Sequence, residues 1–213
     1  GLPPGSSRSM PATFLGIWDS VRRLFAAEPE ARAHGVTPGY FSLNVEGGRC
    51  EWCKGRGRTV MEMQFLADEE ILCDRCGGTG YSPEARAYTC RGLTIVQALD
   101  LTAGEAAERL GDAADAAFRR RLDMLRDVGL GYLRLGQPLS TLSGGEAQRL
   151  KLCRALLEPA KGQGLFLLDE PTTGLHPTDT ATLLRVLDRL LDDGHTVIAV
   201  EHDLHFLENA DWV

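Results

Sequence analysis

Near the start of the chain, apolar residues recur at three- and four-residue steps. Phe14, Ile17, Trp18, Val21, Leu24 and Phe25 fall on one helical face, predicting a helix over residues 13–33 that Pro38-Gly39 punctuates. The rhythm then lapses: residues 47–81 are dense in Gly and Cys, and imperfect alternation through Val60, Met61, Glu62, Met63, Gln64 and Phe65 predicts a strand over 59–66. Residues 94–101 are a short apolar element. Thr102 and Glu105 have the T-x-x-E spacing of a capping box, and Phe118, Leu122, Leu125 and Val128 predict a helix ending at Gly129. Beyond residue 142 the period changes. A helix opens at Ser143, residues 165–168 and 196–200 are wholly apolar, and a helix spans about 178–192 between them. Such strands alternating with helices predict a parallel sheet covered on both faces. The chain divides into a lead-in and helix (1–46), a cysteine module (47–90), a helical segment (91–141) and an α/β core (142–213).

Composition narrows the class. Of 213 residues, 43% are hydrophobic and 25% charged, an ordinary globular balance. No apolar run approaches the roughly 20 residues needed to span a bilayer, and residues 1–10 lack a secretory pattern, so a cytosolic protein is expected. The net charge of −7 argues against a chain coated in positive charge. Arg49, Lys54, Arg56 and Arg58 nevertheless cluster against Glu51 alone and are candidate DNA contacts.

Four of the six cysteines form two C-x-x-C pairs, Cys50/Cys53 and Cys73/Cys76, nineteen residues apart. Two such turns complete an all-sulfur tetrahedral shell suited to Zn²⁺. The glycines that follow each pair let the backbone fold around sulfur. Four thiolates leave no open position for a substrate water, so the ion is expected to be a structural clip. Cys90 and Cys153 read as ordinary thiols, Cys153 within a helix.

Three further pieces occur in a telling order. In L-S-G-G-E-A-Q-R (142–149), Ser143 caps a helix that Glu146 closes, and Gly144 and Gly145 bare the backbone where a helix N-terminus favours a phosphate. Twenty residues beyond Arg149 an apolar strand delivers Asp169 and Glu170 to a sheet's carboxyl edge. There Asp169 suits a Mg²⁺ partner, and Glu170 suits the base that orients an attacking water. The second strand ends in Glu201-His202, where the histidine can sense a γ-phosphate. Signature, strand-D-E and strand-H together are the back half of an ABC-type ATPase.

With these residues in place, the chain resembles the UvrA family of excinuclease components, in its second nucleotide-binding half. The resemblance runs through S-R-S-M-P-A-T-F (7–14), F-S-L-N-V-E-G-G-R-C-E-W-C (41–53), V-G-L-G-Y-L-R-L-G-Q (128–137), L-S-G-G-E-A-Q-R-L-K-L (142–152), L-L-D-E-P-T-T-G-L-H-P (167–177) and E-H-D-L-H-F-L-E-N-A-D-W-V (201–213). It implies a partial ABC-type ATPase core, mostly parallel sheet with helices, plus a helical signature subdomain and an inserted four-cysteine zinc module.

The resemblance also implies roles. Ser143, Gly144, Gly145 and Glu146 would face a nucleotide bound by the other ATPase half, with Gln148 among the nucleotide contacts. Asp169 and Glu170 would be the Walker B and catalytic carboxylates and His202 the switch histidine. Gly174, Leu175 and His176 would lie in the D-loop. ATP, Mg²⁺ and Zn²⁺ are the implied cofactors. A second copy, damaged double-stranded DNA and a UvrB-like protein are the implied partners, with no membrane, in the bacterial cytoplasm. The signature and the acidic pair are expected to belong to a shared triphosphate pocket that pieces outside this chain complete.

The chain departs from the family pattern in having no G-x-x-x-x-G-K-[ST] phosphate loop, which implies a fragment inactive by itself. Gly77-Gly78-Thr79-Gly80 and Asp203 also depart, and fit a paralogue that protects against DNA-binding drugs. A DnaJ-type cysteine-rich module would carry four C-x-x-C-x-G-x-G repeats and no signature; a transporter ATPase would lack the zinc insertion.

Overall fold

A computed structural model of the chain describes residues 9–61, 69–158 and 162–213. The N-terminal apolar stripe forms three helices rather than one: α1 (Pro11–Phe14), α2 (Ile17–Ala27) and α3 (Pro29–Ala33). Gly16, at φ +71, turns the chain between the first two. Pro29 holds Glu28 in extended backbone and starts the third. The periodicity still located the buried face, since Ile17, Trp18, Val21 and Phe25 are all buried.

The cysteine region carries an antiparallel hairpin, β1 (Arg58–Met61) with β2 (Glu69–Leu72), pairing Arg58 with Leu72 and Met61 with Glu69. Residues 62–66 of the expected strand lie outside the described residues. After α4 (Pro83–Ala87), a two-residue ladder joins β3 (Thr89–Cys90) to β4 (Leu93–Thr94).

The apolar element at 94–101 is the helix α5 (Ile95–Asp100). Thr94 and Gln97 cap it reciprocally, as Thr102 and Glu105 cap α6 (Ala103–Leu110). Asp115 caps α7 (Ala116–Asp127) by accepting from the Phe118 amide at 2.7 Å, and it also binds Arg23 of α2 at 2.7 Å. These helices share a core in which Phe25, Phe41, Phe118, Leu122, Leu125, Leu130 and Leu135 are buried. Among the described residues no helix is long and apolar enough to cross a membrane.

The C-terminal part runs α8 (Gly144–Leu157), β5 (Leu165–Asp169), α9 (Pro177–Asp192), β6 (Thr196–Val200) and α10 (Leu204–Leu207). The two strands pair in parallel, from Leu165 beside Thr196 to Asp169 beside Val200. Leu168, Phe166, Val197 and Ala199 pack onto the core. The other face is bare: Leu165, Leu167, Ile198 and Val200 are 60%, 67%, 53% and 66% exposed. The expectation of a sheet covered on both faces is therefore corrected. One face packs on the core, and none of the described residues covers the other. The strands are apolar on both faces, as in a sheet made for an interior.

Candidate nucleotide site and metal centre

The two C-x-x-C pairs build one pocket. All four sulfurs lie within 4.8 Å of one another. Cys50 and Cys73 are 4.0 Å apart, and Cys53 and Cys76 are 3.8 Å apart. A tetrahedron with Zn–S bonds of about 2.3 Å has edges of about 3.8 Å, so the donor set fits such an ion. The knuckles interlock through their backbones: the Cys50 amide donates to the Gly80 carbonyl at 2.7 Å, and the Cys73 amide to the Gly57 carbonyl at 2.9 Å. Gly57 and Gly80 then donate their own amides to Cys53 and Cys76 sulfur at 3.2 and 3.3 Å.

Burial pushes the Cys53 thiol up to about 12 and raises Cys76. At Cys73 burial also raises the thiol, but the Cys76 and Arg75 amides outweigh it and the net shift is downward. Gathered thiolates need a cation at their centre, and binding one displaces protons. Gly57 shows how tight the fit is. A Cβ there would lie 2.3 Å from the Gly78 carbonyl oxygen, at a φ of +71. Gly57→Ala is expected to cost at least about 1–2 kcal/mol, or about tenfold in metal affinity, read by competition with a chromogenic chelator. Unchanged affinity would show that the knuckles do not depend on this approach.

The basic cluster beside this centre is split. Arg49, with its side chain only 12% exposed, is engaged by Glu46 and Glu51 at 3.3 and 3.2 Å. Lys54, Arg56 and Arg58 are exposed. Arg75, absent from the expected set, lies 5.4 Å over the ring of the exposed Trp52. Its only sequence signal was a cation inside the second C-x-x-C.

In the α/β part, Ser143 caps α8. Its hydroxyl accepts from the Glu146 amide at 3.3 Å, and Glu146 accepts from the Ser143 amide at 2.7 Å. A Cβ on Gly144 would meet nothing within 4 Å, leaving the helix start open where the leading amides lack intrahelical partners. Glu146 also accepts from the Tyr132 hydroxyl at 2.5 Å. Burial raises its pKa, but the Tyr132 and Ser143 donors outweigh that and hold the carboxyl below its ordinary value. Glu146 is thus occupied as a cap. Gln148 turns to the main chain: with its amide assigned the orientation its neighbours demand, nitrogen toward the Asp169 carbonyl and oxygen toward the Asp169 amide, it donates at 2.8 Å and accepts at 2.7 Å.

Asp169 ends β5 in phase with the exposed Leu165 and Leu167. Glu170 follows at a φ of +45, with its amide bound to the Val200 carbonyl at 2.8 Å. The Glu170 carboxylate accepts from the Thr173 hydroxyl at 3.1 Å and lies 4.0 Å from Nδ1 of His202. Glu170, Thr172, Thr173, Gly174, His202, Asp203, Leu204 and His205 line an open groove of about 710 Å³. Ser143 to Glu146 are not among its lining residues. The start of α8 is nonetheless close to the groove: a Cβ on Gly145 would lie 3.6 Å from the carbonyl oxygen of Thr173.

Glu201 and Thr172, to which sequence reasoning gave no role, hold this edge together. The side chain of Glu201 is fully buried. It accepts from the Thr172 amide and hydroxyl at 2.7 and 2.5 Å, and from the His202 and Asp203 amides at 2.9 and 3.2 Å. Burial raises its pKa, yet those donors leave it lowered. The only signal was a carboxylate beside a candidate histidine. Of the expected D-loop, Gly174 has φ +76, Leu175 approaches Gly129, and His176 caps α9 through Thr178.

A signature-capped helix, a strand ending in two carboxylates and a histidine at the end of its parallel neighbour define an ABC-type ATPase. The family model described as "ABC transporter" matches residues 63–173, and the chain belongs to that family. Within it the chain is similar to UvrABC system protein A of Aquifex aeolicus (strain VF5), 49% identical over 206 residues, 97% of this chain and 22% of that protein. The same protein from Thermus thermophilus is 50% identical over 97% of this chain and 21% of its own length. A solved structure titled "Crystal structure of UvrA2 from Deinococcus radiodurans" superposes with a TM-score of 0.84 at 49% identity, covering 99% of this chain and 26% of that one. The chain spans about a fifth of the length of these curated relatives.

Proposed function

We propose that this chain works within a longer, UvrA-type ATPase that recognises damaged duplex DNA in bacterial nucleotide excision repair, in the cytoplasm, as a dimer that loads a UvrB-like partner. The observation that carries the reading is the meeting of Glu170 and His202, 4.0 Å apart, at the carboxyl ends of two parallel strands. This is the sheet edge where nucleotides bind.

ATP with Mg²⁺ would supply the phosphoryl group and neutralise its charge. Asp169 would hold the metal and Glu170 would orient the attacking water. His202 would face the γ-phosphate. Ser143, Gly144 and Gly145 would present the open start of α8 to a nucleotide held by the other ATPase half, with Gly174 and His176 between the two sites. Cys50, Cys53, Cys73 and Cys76 would hold Zn²⁺ as a structural ion. Lys54, Arg56 and Arg58, with Arg75, would meet DNA phosphates.

The test is ATP hydrolysis and DNA binding by the full-length protein, using ultraviolet-irradiated and untreated duplexes of one sequence. Tighter binding to the irradiated duplex, hydrolysis that responds to it, and negligible turnover by the 213-residue chain alone are expected. Equal affinity for both duplexes would refute damage recognition. Turnover by the chain alone would refute its dependence on a phosphate loop supplied elsewhere.

A further inference from the structure

Two adjacent side chains of α8 grip the main chain on either side of Glu170. Gln148 closes both main-chain polar groups of Asp169, at 2.8 and 2.7 Å. Arg149 donates from one terminal nitrogen to the Pro171 and Thr173 carbonyls, each at 3.1 Å. Arg149 is only 2% exposed, and a guanidinium does not shed its proton to escape burial. Its charge is instead met by these carbonyls and by the field of Glu146, one turn back on the same helix.

The residue so bracketed is unusual. Glu170 is one of three described non-glycine residues at positive φ, a conformation that persists only where its surroundings enforce it. Residue 169 is fixed by Gln148 and residue 171 by Arg149, so the strained linkage between them is supported from both ends by one rigid helix.

We propose that Gln148 and Arg149 are positioning residues for ATP hydrolysis. They hold the backbone of Glu170 so that its carboxylate faces the groove shared with His202. They also make the geometry of that carboxylate depend on α8. The proposal deepens the reading above and rests on Glu170 being the hydrolytic carboxylate. Its physical content is a lever: a shift of α8 when its N-terminus meets a phosphate is transmitted to residues 169, 171 and 173 through four hydrogen bonds.

The test uses the full-length protein. Gln148→Glu keeps size and shape but sets an oxygen against the Asp169 carbonyl. Gln148→Met removes both bonds without adding charge, and Arg149→Lys keeps the charge but, one atom shorter, draws the donor nitrogen back from the two carbonyls. Each is expected to lower kcat for ATP about tenfold or more while KM moves less than about twofold, as for a group acting only on the chemical step. The deciding measurement is a double-mutant cycle. If Gln148 acts through Glu170, adding Gln148→Glu to Glu170→Gln costs little further single-turnover rate, whereas a general structural defect multiplies the two losses. Multiplied losses, or a rise in KM at unchanged kcat, would overturn the clamp. So would a normal kcat in both Gln148 variants when Glu170→Gln is slow. A normal kcat in Glu170→Gln itself would overturn the site reading, and the clamp with it.

Discussion

Glu170→Gln in the full-length protein is expected to slow ATP hydrolysis by about 10²- to 10⁴-fold, the range for losing a positioned general base, while ATP still binds. The substitution is nearly isosteric, and the structure indicates that it is tolerated. The side chain faces an open groove, and the Thr173 hydroxyl can donate to an amide oxygen as it does to the carboxylate. The left-handed backbone at residue 170 is held by the Val200 carbonyl and by α8, none of which touches the substituted atoms. What is lost is the acceptor charge 4.0 Å from His202. The expected phenotype is therefore ATP trapped on an intact protein, seen as nucleotide retained through gel filtration with little released phosphate. Normal steady-state turnover would remove Glu170 from its assigned role.

Cys73→Ser is expected to take the bound zinc from about one equivalent to near zero and to unfold the hairpin it supports. Structural zinc sites hold apparent free energies of about 10–16 kcal/mol at neutral pH, and that binding energy is folding energy. The local geometry leaves little else to replace it. The four cysteines form a cluster of their own, apart from the main core, and β2 beside them is exposed along its whole length. The Cys73 amide also closes one of the two cross-knuckle bonds, so the loss reaches the Cys50 side as well. Metal content by mass spectrometry and proteolysis within residues 50–80 are the measurements. Cys90→Ser, in the main core and outside the four-sulfur cluster, is expected to retain its zinc. A full equivalent of metal in Cys73→Ser would refute the four-sulfur centre.

Much of this was legible in the residues. The C-x-x-C-x-G-x-G repeats determine both the sulfur positions and the backbone turns, because only glycine fits where Gly57 meets Gly78. Ser143 and Glu146 specify a helix start with their own side chains, as do Thr102 and Glu105. Local chemistry of this kind is written in consecutive residues.

What failed was tertiary. The stripe from Phe14 to Phe25 reads as one helix because periodicity counts faces and does not register that Gly16 can swing the chain at positive φ. Thr94 and Gln97 form the same reciprocal cap as the recognised pairs, but the short apolar run behind them could equally be a strand. Glu201 escaped because a buried carboxylate is identifiable only by its four donors, two of which come from Thr172, in the other strand-end turn. Gln148 was placed among the nucleotide contacts by its neighbours in the signature string. Its amide is consumed by a strand end that only the fold brings near.

The bare side of the two-stranded sheet has a practical consequence. Leu165, Leu167, Ile198 and Val200 form a contiguous greasy strip beside Asp169, at the rim where the triphosphate chemistry is assigned. In water such a strip is adhesive: it attracts other apolar surfaces and costs free energy while uncovered. Any surface that covers the strip would therefore also brace the rim that carries Asp169, so that shielding the apolar face and steadying the carboxylates would fall to one and the same seam.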